Sequence, residues 1–329
     1  MIIDTHSHFM APSLIGHLRT RTELPYIRND KSGVARTYSH TSAFPLKAEQ
    51  QDLGRRREFM DRFGITHQIM SFPGLLGIDA GPVDVAAPVL RAANEDLAKV
   101  CRDEPQRFSG LAGLPYADLN AARKELTHCC QILGLKGAIV PARYFESLET
   151  AQYLTPLLEV ANELGAHLLV HPGFRAGESP AGKFTDNHNH RFSSLAIQNE
   201  VSHAVVTLAM TDLLDPFPDL TIQVINLGGV IPFLLERMDH VARTRTPDAP
   251  IPSERIRRLY VDNASLGPRA LSLAIETFGA DRIMIGTDFP VFTSDDSIAA
   301  VRALDLNHNQ SESILAGNAA KIFTLKLAA

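Results

Sequence analysis

His6 and His8 stand two residues apart in the opening run IIDTHSH. On a strand, side chains at that spacing point to one face, and imidazole is the commonest protein ligand for zinc and related divalent ions. Alone, an H-x-H pair fits two polar loop residues equally well. Two further residues strengthen the metal reading: His171 closes the run LLVHPG and Asp288 closes MIGTDFP, each after an apolar stretch of strand length. Three imidazoles and one carboxylate suit a single divalent ion with a position left open for water or substrate. The alternative is that His171 and Asp288 only cap nearby backbone.

For these four to meet, the chain must bring distant strand ends together. Eight short apolar runs punctuate the sequence: IIDTH, THQIMSF, FSGLAGLP, LKGAIVPA, HLLVHPG, TIQVINLGG, RLYVDNAS and RIMIGTDFP. Between them lie segments of helical periodicity such as VAAPVLRAANEDLAKVCRDE and LTPLLEVANELG, the latter ending at Gly165, a residue free to adopt the left-handed terminating conformation. This is the pattern of repeated βα units on a parallel sheet. Both a closed (β/α)8 TIM barrel and an open doubly wound sheet use it. No G-x-G-x-x-G turn follows any run, which weakens the dinucleotide-binding version of the open sheet. The expectation is therefore an α/β fold, a (β/α)8 TIM barrel occupying residues 1–329 as one domain, with the ends of its first, fifth and eighth strands at one C-terminal mouth. Two connections exceed what a simple βα link needs, residues 9–55 after the first strand and 172–194 after the fifth, and both are expected as long functional loops over that mouth.

Composition narrows the function classes. Among 329 residues, 32 Lys and Arg face 37 Asp and Glu, a net charge of −5 that provides no basic footprint for nucleic acid. No apolar stretch approaches the ~20 residues that span a bilayer, and the first residues lack the basic and apolar regions of a secretory signal. Three cysteines, Cys101, Cys129 and Cys130, are an odd count with two adjacent, so a disulfide framework is not expected. Cys129 and Cys130 read as packing residues. Together these features point to a reduced, cytoplasmic protein with no membrane and no nucleic-acid partner.

The motifs IDTHSH, RRREFMDRFGITHQIMS, ELGAHLLVHPG, FPDLTIQVINLGGVIPFLLERMDH and DRIMIGTDFPV, in this order along nearly the whole chain, resemble the amidohydrolase superfamily. The similar branch contains aminocarboxymuconate-semialdehyde decarboxylase and γ-resorcylate and related aromatic-acid decarboxylases. The resemblance implies one catalytic divalent metal, zinc first and manganese as the alternative, held by His6, His8, His171 and Asp288, with Asp288 also handling a proton. It implies a small organic acid as substrate and a homo-oligomer, dimer or tetramer. Lys136 lies at the start of the fourth run and no lysine at its end, so the bridging lysine of binuclear relatives has no candidate.

One position departs from the family pattern. The sixth run there ends in a histidine before the Gly-Gly pair, whereas this sequence reads VINLGG with Asn226 in that place. An amide donates and accepts hydrogen bonds but is no base near neutral pH. His188 and His190, in DNHNH, are candidates to replace it from the second long loop. Of the run Arg55, Arg56 and Arg57, Arg56 is the candidate to reach a substrate carboxylate, as the resemblance implies for an arginine of this segment. Arg175 and Arg191, flanking the second loop, are further candidates, since arginine binds carboxylates bidentately. His203, on an apolar helical stretch, reads as a core or interface residue.

Hydrolysis needs water activated and a proton shuttled to the leaving group. Non-oxidative decarboxylation needs charge stabilisation and one proton donor to carbon, which leaves Asn226 to orient substrate. The reading favours a carboxy-lyase acting on a small carboxylated aromatic or unsaturated acid. Its rivals are a hydrolase of a small amide, ester or lactone, and a non-catalytic barrel that binds a small molecule.

Overall fold

The structure is a computed structural model that describes residues 1–178 and 184–325. All eight apolar runs are strands: β1 (Ile3–His8), β2 (His67–Ser71), β3 (Phe108–Leu111), β4 (Gly137–Pro141), β5 (His167–His171), β6 (Thr221–Val224), β7 (Tyr260–Asp262) and β8 (Ile283–Met284). Every residue of β1 to β5 is buried, as expected of parallel strands covered on both faces. Parallel pairing joins them into two sheets, β1-β2-β3 and β8-β7-β6-β5-β4. Single parallel bridges connect the two: Asp4 to Ile285, Ser7 to Phe289, and Ala112 to Ala138.

Helices follow the strands and cover them: α1 (Pro12–Thr20), α2 (Leu53–Phe63), α3 (Val83–Asp103), α4 (Leu119–Gln131), α5 (Thr155–Glu163), α6 (Ile197–Met210), α7 (Ile231–Arg245), α8 (Pro268–Phe278) and α9 (Asp296–Arg302). Local chemistry sets their ends. The Asp52 carboxylate accepts from the Gly54 N–H at 2.7 Å to cap α2, which stops at Gly64 with φ 74°. α5 stops just before Gly165, at φ 58°. The apolar stripes face inward, as Leu90, Leu97 and Leu126 do, each burial favouring the fold by roughly 1.5–3 kcal/mol.

The excursion after β1 is built rather than loose, which corrects the expectation of a long loop. α1 buries Leu14, Ile15 and Leu18, and an antiparallel sheet follows, formed by Tyr26–Asn29, Ala35–Tyr38 and Ala43–Pro45. Its first turn is closed by Asp30, which accepts from the N–H groups of Ser32 at 2.9 Å and Val34 at 3.1 Å. In the second excursion, residues 179–183 lie outside the described residues. Past them, a π-helical stretch, Asn189–Ala196, runs directly into α6. Among the described residues, no helix is long and apolar enough to cross a membrane.

Candidate metal centre

His6, His8, His171 and Asp288 meet at the C-terminal ends of β1, β5 and β8, where each offers an atom within 4.8 Å of the others. The three rings stand nearly perpendicular, with centroids 4.8 to 5.3 Å apart and interplanar angles of 82° to 88°. Asp288 Oδ1 lies 3.2 Å from His8 Nε2 and 3.6 Å from His6 Nε2. His6 is 1% exposed, so these groups sit almost out of water.

Each ring is fixed through its outward nitrogen. His6 Nδ1 faces Asp262 Oδ1 at 3.2 Å, His8 Nδ1 faces Ser71 Oγ at 3.1 Å, and His171 Nδ1 donates to the Pro172 carbonyl at 2.9 Å. That leaves the Nε2 atoms converging. His6 Nε2 and Asp288 Oδ1 are buried with no hydrogen-bond partner of good geometry, a state that costs free energy unless something else satisfies them. A divalent cation bound by nitrogen and oxygen would do so, and orienting partners behind each imidazole are the usual arrangement of such sites. The residues present therefore fit the expected metal.

Charge is arranged to match. Burial and the neighbouring His8 and His6 rings push His171 well below the ordinary imidazole range, leaving it neutral as a ligand must be. Burial alone would raise Asp288, but the imidazoles of His8, His6 and His171 hold its carboxylate below the usual range. Burial likewise opposes the charged form of His6, and Asp262 above all outweighs it, taking the ring to about 9. Metal binding would displace that proton.

Beneath the ligands runs a second layer that sequence reasoning missed. Asp4 accepts from Gln68 Nε2 at 2.6 Å, Thr287 Oγ1 at 2.6 Å and the His6 N–H at 3.2 Å. Asp262 accepts from Gln223 Nε2 at 2.7 Å and from the Ala264 N–H at 3.1 Å. Gly286 packs against this layer so closely that a Cβ there would lie 2.7 Å from Asp262 Oδ1 and 2.8 Å from His6 Cβ. The signal in the sequence was a polar residue inside four of the apolar runs, Asp4, Gln68, Gln223 and Asp262, since such a group must find a buried partner.

Arg56 belongs to this layer, which corrects its expected role as a substrate contact. Its guanidinium is 1% exposed and donates to Gln68 Oε1 at 2.7 Å, to Ser7 Oγ at 3.3 Å and to the His8 carbonyl. The cause is helical spacing: on α2, Arg56 shares the inward face with Phe59 and Met60.

A cavity of about 350 Å³ opens beside the four-residue cluster. His8, His171, Asp288 and Asn226 line it, with Phe44, Leu75, Leu76, Phe192, Ile197, Ile225 and Phe292 supplying apolar walls. Asn226 and Leu227 both hold φ at 54°, and Asp288 holds 56°, left-handed values uncommon outside glycine. The strained turns aim two side chains at one space.

The remaining candidates divide. His188 lines the cavity, but its nitrogens are engaged, Nδ1 accepting from the Phe184 N–H at 3.2 Å and Nε2 donating to the Thr41 carbonyl at 2.9 Å. With both nitrogens so occupied it is a wall residue and no free base. His190 is exposed and does not line the cavity. Neither do the other two arginines: Arg175 faces Glu146 and Glu178, each at 3.9 Å, and Arg191 pairs with Asp186 at 2.9 Å. Their expected substrate contacts are thus corrected, because acidic neighbours already hold both. His203 is exposed, which sets aside the core half of its expectation.

The amidohydrolase family model matches residues 3–325. The chain belongs to the amidohydrolase family. This amidohydrolase is 25% identical over 281 residues to the 2-amino-3-carboxymuconate-6-semialdehyde decarboxylase of Dictyostelium discoideum, covering 82% of the chain and 76% of that relative. It is 28% identical over 296 residues to the gamma-resorcylate decarboxylase of a Polaromonas species, covering 82% of the chain and 87% of the relative. In three dimensions it resembles the crystal structure of a Polaromonas dihydroxybenzoic acid decarboxylase with bound manganese and 2-nitroresorcinol. That likeness has a TM-score of 0.75 at 24% identity and covers 99% of this chain and 98% of the other.

Proposed function

We propose that this amidohydrolase is a metal-dependent carboxy-lyase that removes CO2, without oxidation, from a small carboxylated aromatic or unsaturated acid. One observation carries the reading: the converging cluster opens onto a largely apolar cavity in which Asn226, an amide, stands where the family pattern has a histidine that could activate water. The names of the relatives agree with it. His6, His8, His171 and Asp288 would hold one divalent ion, zinc as the first choice and manganese as the alternative. When bound, it would supply a positive charge that anchors an acid and stabilises negative charge developing in the substrate.

The chain's own residues do the rest. Phe44, Leu76, Phe192 and Ile225 hold the substrate's flat apolar body and exclude water from it. Asn226 orients the acid through donor and acceptor contacts. Asp288, the carboxylate facing the cavity, first takes up a proton from the acid's own hydroxyl or from solvent and then passes it to the carbon that bears the substrate carboxylate, returning to its ionised form. The C–C bond then breaks, CO2 leaves, and that carbon keeps the new C–H bond, so charge and atoms balance. The strand set supports the finer fold reading, a closed (β/α)8 barrel spanning residues 1–329 as one domain, because the isolated bridges link β1 to the β8 segment and the β3 segment to β4. A cytoplasmic location fits the three unpaired cysteines, and assembly as a dimer or tetramer fits Phe233, 80% exposed on α7.

The test is turnover in D2O with metal-loaded protein and a panel of hydroxylated aromatic acids. The reading expects CO2 in step with acid consumed and one deuterium at the vacated carbon, both lost on chelation. Oxygen from labelled water entering the product of an ester, amide or lactone, with no CO2 from any acid, would replace it with the hydrolase reading. No turnover of any kind would leave the binding barrel.

A further inference from the structure

Asn226 and Asp288 are not alone in a left-handed conformation at the mouth. Ser265, on the turn that follows β7, holds φ at 55°. In the sheet β7 lies between β6 and β8, so this turn stands between those of Asn226 and Asp288. Three of the six described non-glycine residues with left-handed φ thus line one cavity. Such a conformation costs free energy in any residue with a Cβ and persists only where the surroundings over-determine it. Glycine removes that cost, and the chain uses it where only a turn is needed, as at Gly64 and Gly165. Around Ser265 the surroundings are firm. Its N–H donates to Ser297 Oγ at 3.3 Å, the Leu266 N–H to the Asn263 carbonyl at 3.2 Å, and the buried Asn263 Nδ2 to the Ser297 carbonyl at 2.8 Å. The Ser265 hydroxyl takes no part in this: among the described residues it has no hydrogen-bond partner, although the residue lines the cavity. The backbone is held while the side chain is left over.

Exposure orders the residues along the cavity. His8 and Asn226 are buried, Asp288 is partly buried and Ser265 is exposed. Ser265 therefore stands farther toward solvent than the converging cluster and meets the part of a bound acid that points away from it. A hydroxyl carries no charge and both donates and accepts, so it matches a neutral polar atom rather than a second anion. We propose that Ser265 is a specificity-determining residue whose hydroxyl hydrogen-bonds a ring hydroxyl of the substrate, one other than any held beside the departing carboxylate, and that this contact is what the strained turn serves. The proposal rests on the carboxy-lyase reading for the fate of the carboxylate, while the contact itself is tested by binding alone.

The probes are salicylate and the dihydroxybenzoates that add one further hydroxyl to it at each free ring position in turn, titrated calorimetrically into manganese-loaded protein. One of these acids is expected to bind the native chain about fivefold more tightly than salicylate, the scale of one neutral hydrogen bond at a partly wet site. Ser265→Ala keeps the strain and removes the hydroxyl, and it brings that acid down to the affinity of salicylate. Ser265→Gly removes both, so it loses the same preference of about fivefold while melting about 2 °C higher. Salicylate affinity and metal content are unchanged in both variants. A turn residue with a purely structural role would not move affinity and melting temperature in opposite directions. No preference among the acids in the native chain, a preference that survives Ser265→Ala, or a lower melting temperature for Ser265→Gly would overturn the proposal. If the preference depends on Ser265 but no acid loses CO2, the contact stands and the carboxy-lyase reading falls.

Discussion

Two zones of the molecule handle polar groups in opposite ways. Below the ligands, Asp4, Arg56, Gln68, Gln223 and Asp262 are at most 1% exposed, and each reaches a neighbour within hydrogen-bond distance. Around the mouth, Arg175, Arg191 and His190 stand half out in water, their contacts long or on flexible exposed partners. The lower zone cannot lose a member without stranding another in a dry place, whereas the rim can exchange partners for water. Positioning of the converging cluster is therefore assigned to the zone where errors are expensive, while the rim residues that do not line the cavity stand where change is cheap.

The sharpest way to break this contrast is at the ligands. His171→Ala or Asp288→Ala is expected to reduce bound metal from about one equivalent to near none and to abolish turnover, read by elemental mass spectrometry on chelator-free protein. Next comes Arg56→Met, which leaves Gln68 and the His8 carbonyl unanswered; denaturant unfolding should show a loss of about 3–5 kcal/mol. An equal loss at Arg191→Ala would erase the distinction between the zones.

Asp79 is an exception inside the protein but outside the candidate site, buried with neither carboxylate oxygen in a hydrogen bond of good geometry. Burial raises it to about 7. Between the ordinary carboxylate range and that value, the folded chain keeps a proton the unfolded chain has released, so this group's contribution to stability falls as pH rises through the window. Asp79→Asn should accordingly stabilise the protein at pH 8 by on the order of 3 kcal/mol and change little near pH 4, measured by unfolding at both.

Asp262→Asn tests support without removal. It retains the shape but not the charge behind His6 and turns an amide N–H toward a donor, so metal affinity is expected to drop 10- to 100-fold with a stability loss of about 1–3 kcal/mol, measured by competition with a chelating dye and by unfolding. The smallest effect belongs to the rim: His190→Ala and Arg191→Ala should shift turnover less than about twofold and stability within about 0.5 kcal/mol.

The strands and the ligand set were legible because both follow period and position. A continuous apolar run bounded by turn residues reads as a buried parallel strand, and His171 and Asp288 could be singled out by where their runs stop. What escaped was anything decided by partners distant in sequence. Arg56 was expected at the substrate, although its spacing from Phe59 and Met60 marks an inward face. The sheet at Tyr26–Pro45 was hidden because its strands are short and mostly polar, so alternation gave no contrast. Lys47, which lines the cavity, escaped with it, since nothing in its sequence neighbourhood distinguishes a cavity wall from solvent. His188 could be placed near the mouth, but the two hydrogen bonds that occupy its ring come from Phe184 and, far back in the chain, Thr41.

The small sheet after β1 enters and leaves the βα pattern through α1 and α2 and contributes none of the four ligands. The cavity wall is thus assembled from several stretches: the insert contributes Phe44, while Leu76, Phe192 and Ile225 come from elsewhere in the chain. Changes confined to the insert reshape one side of that wall without touching the four converging residues.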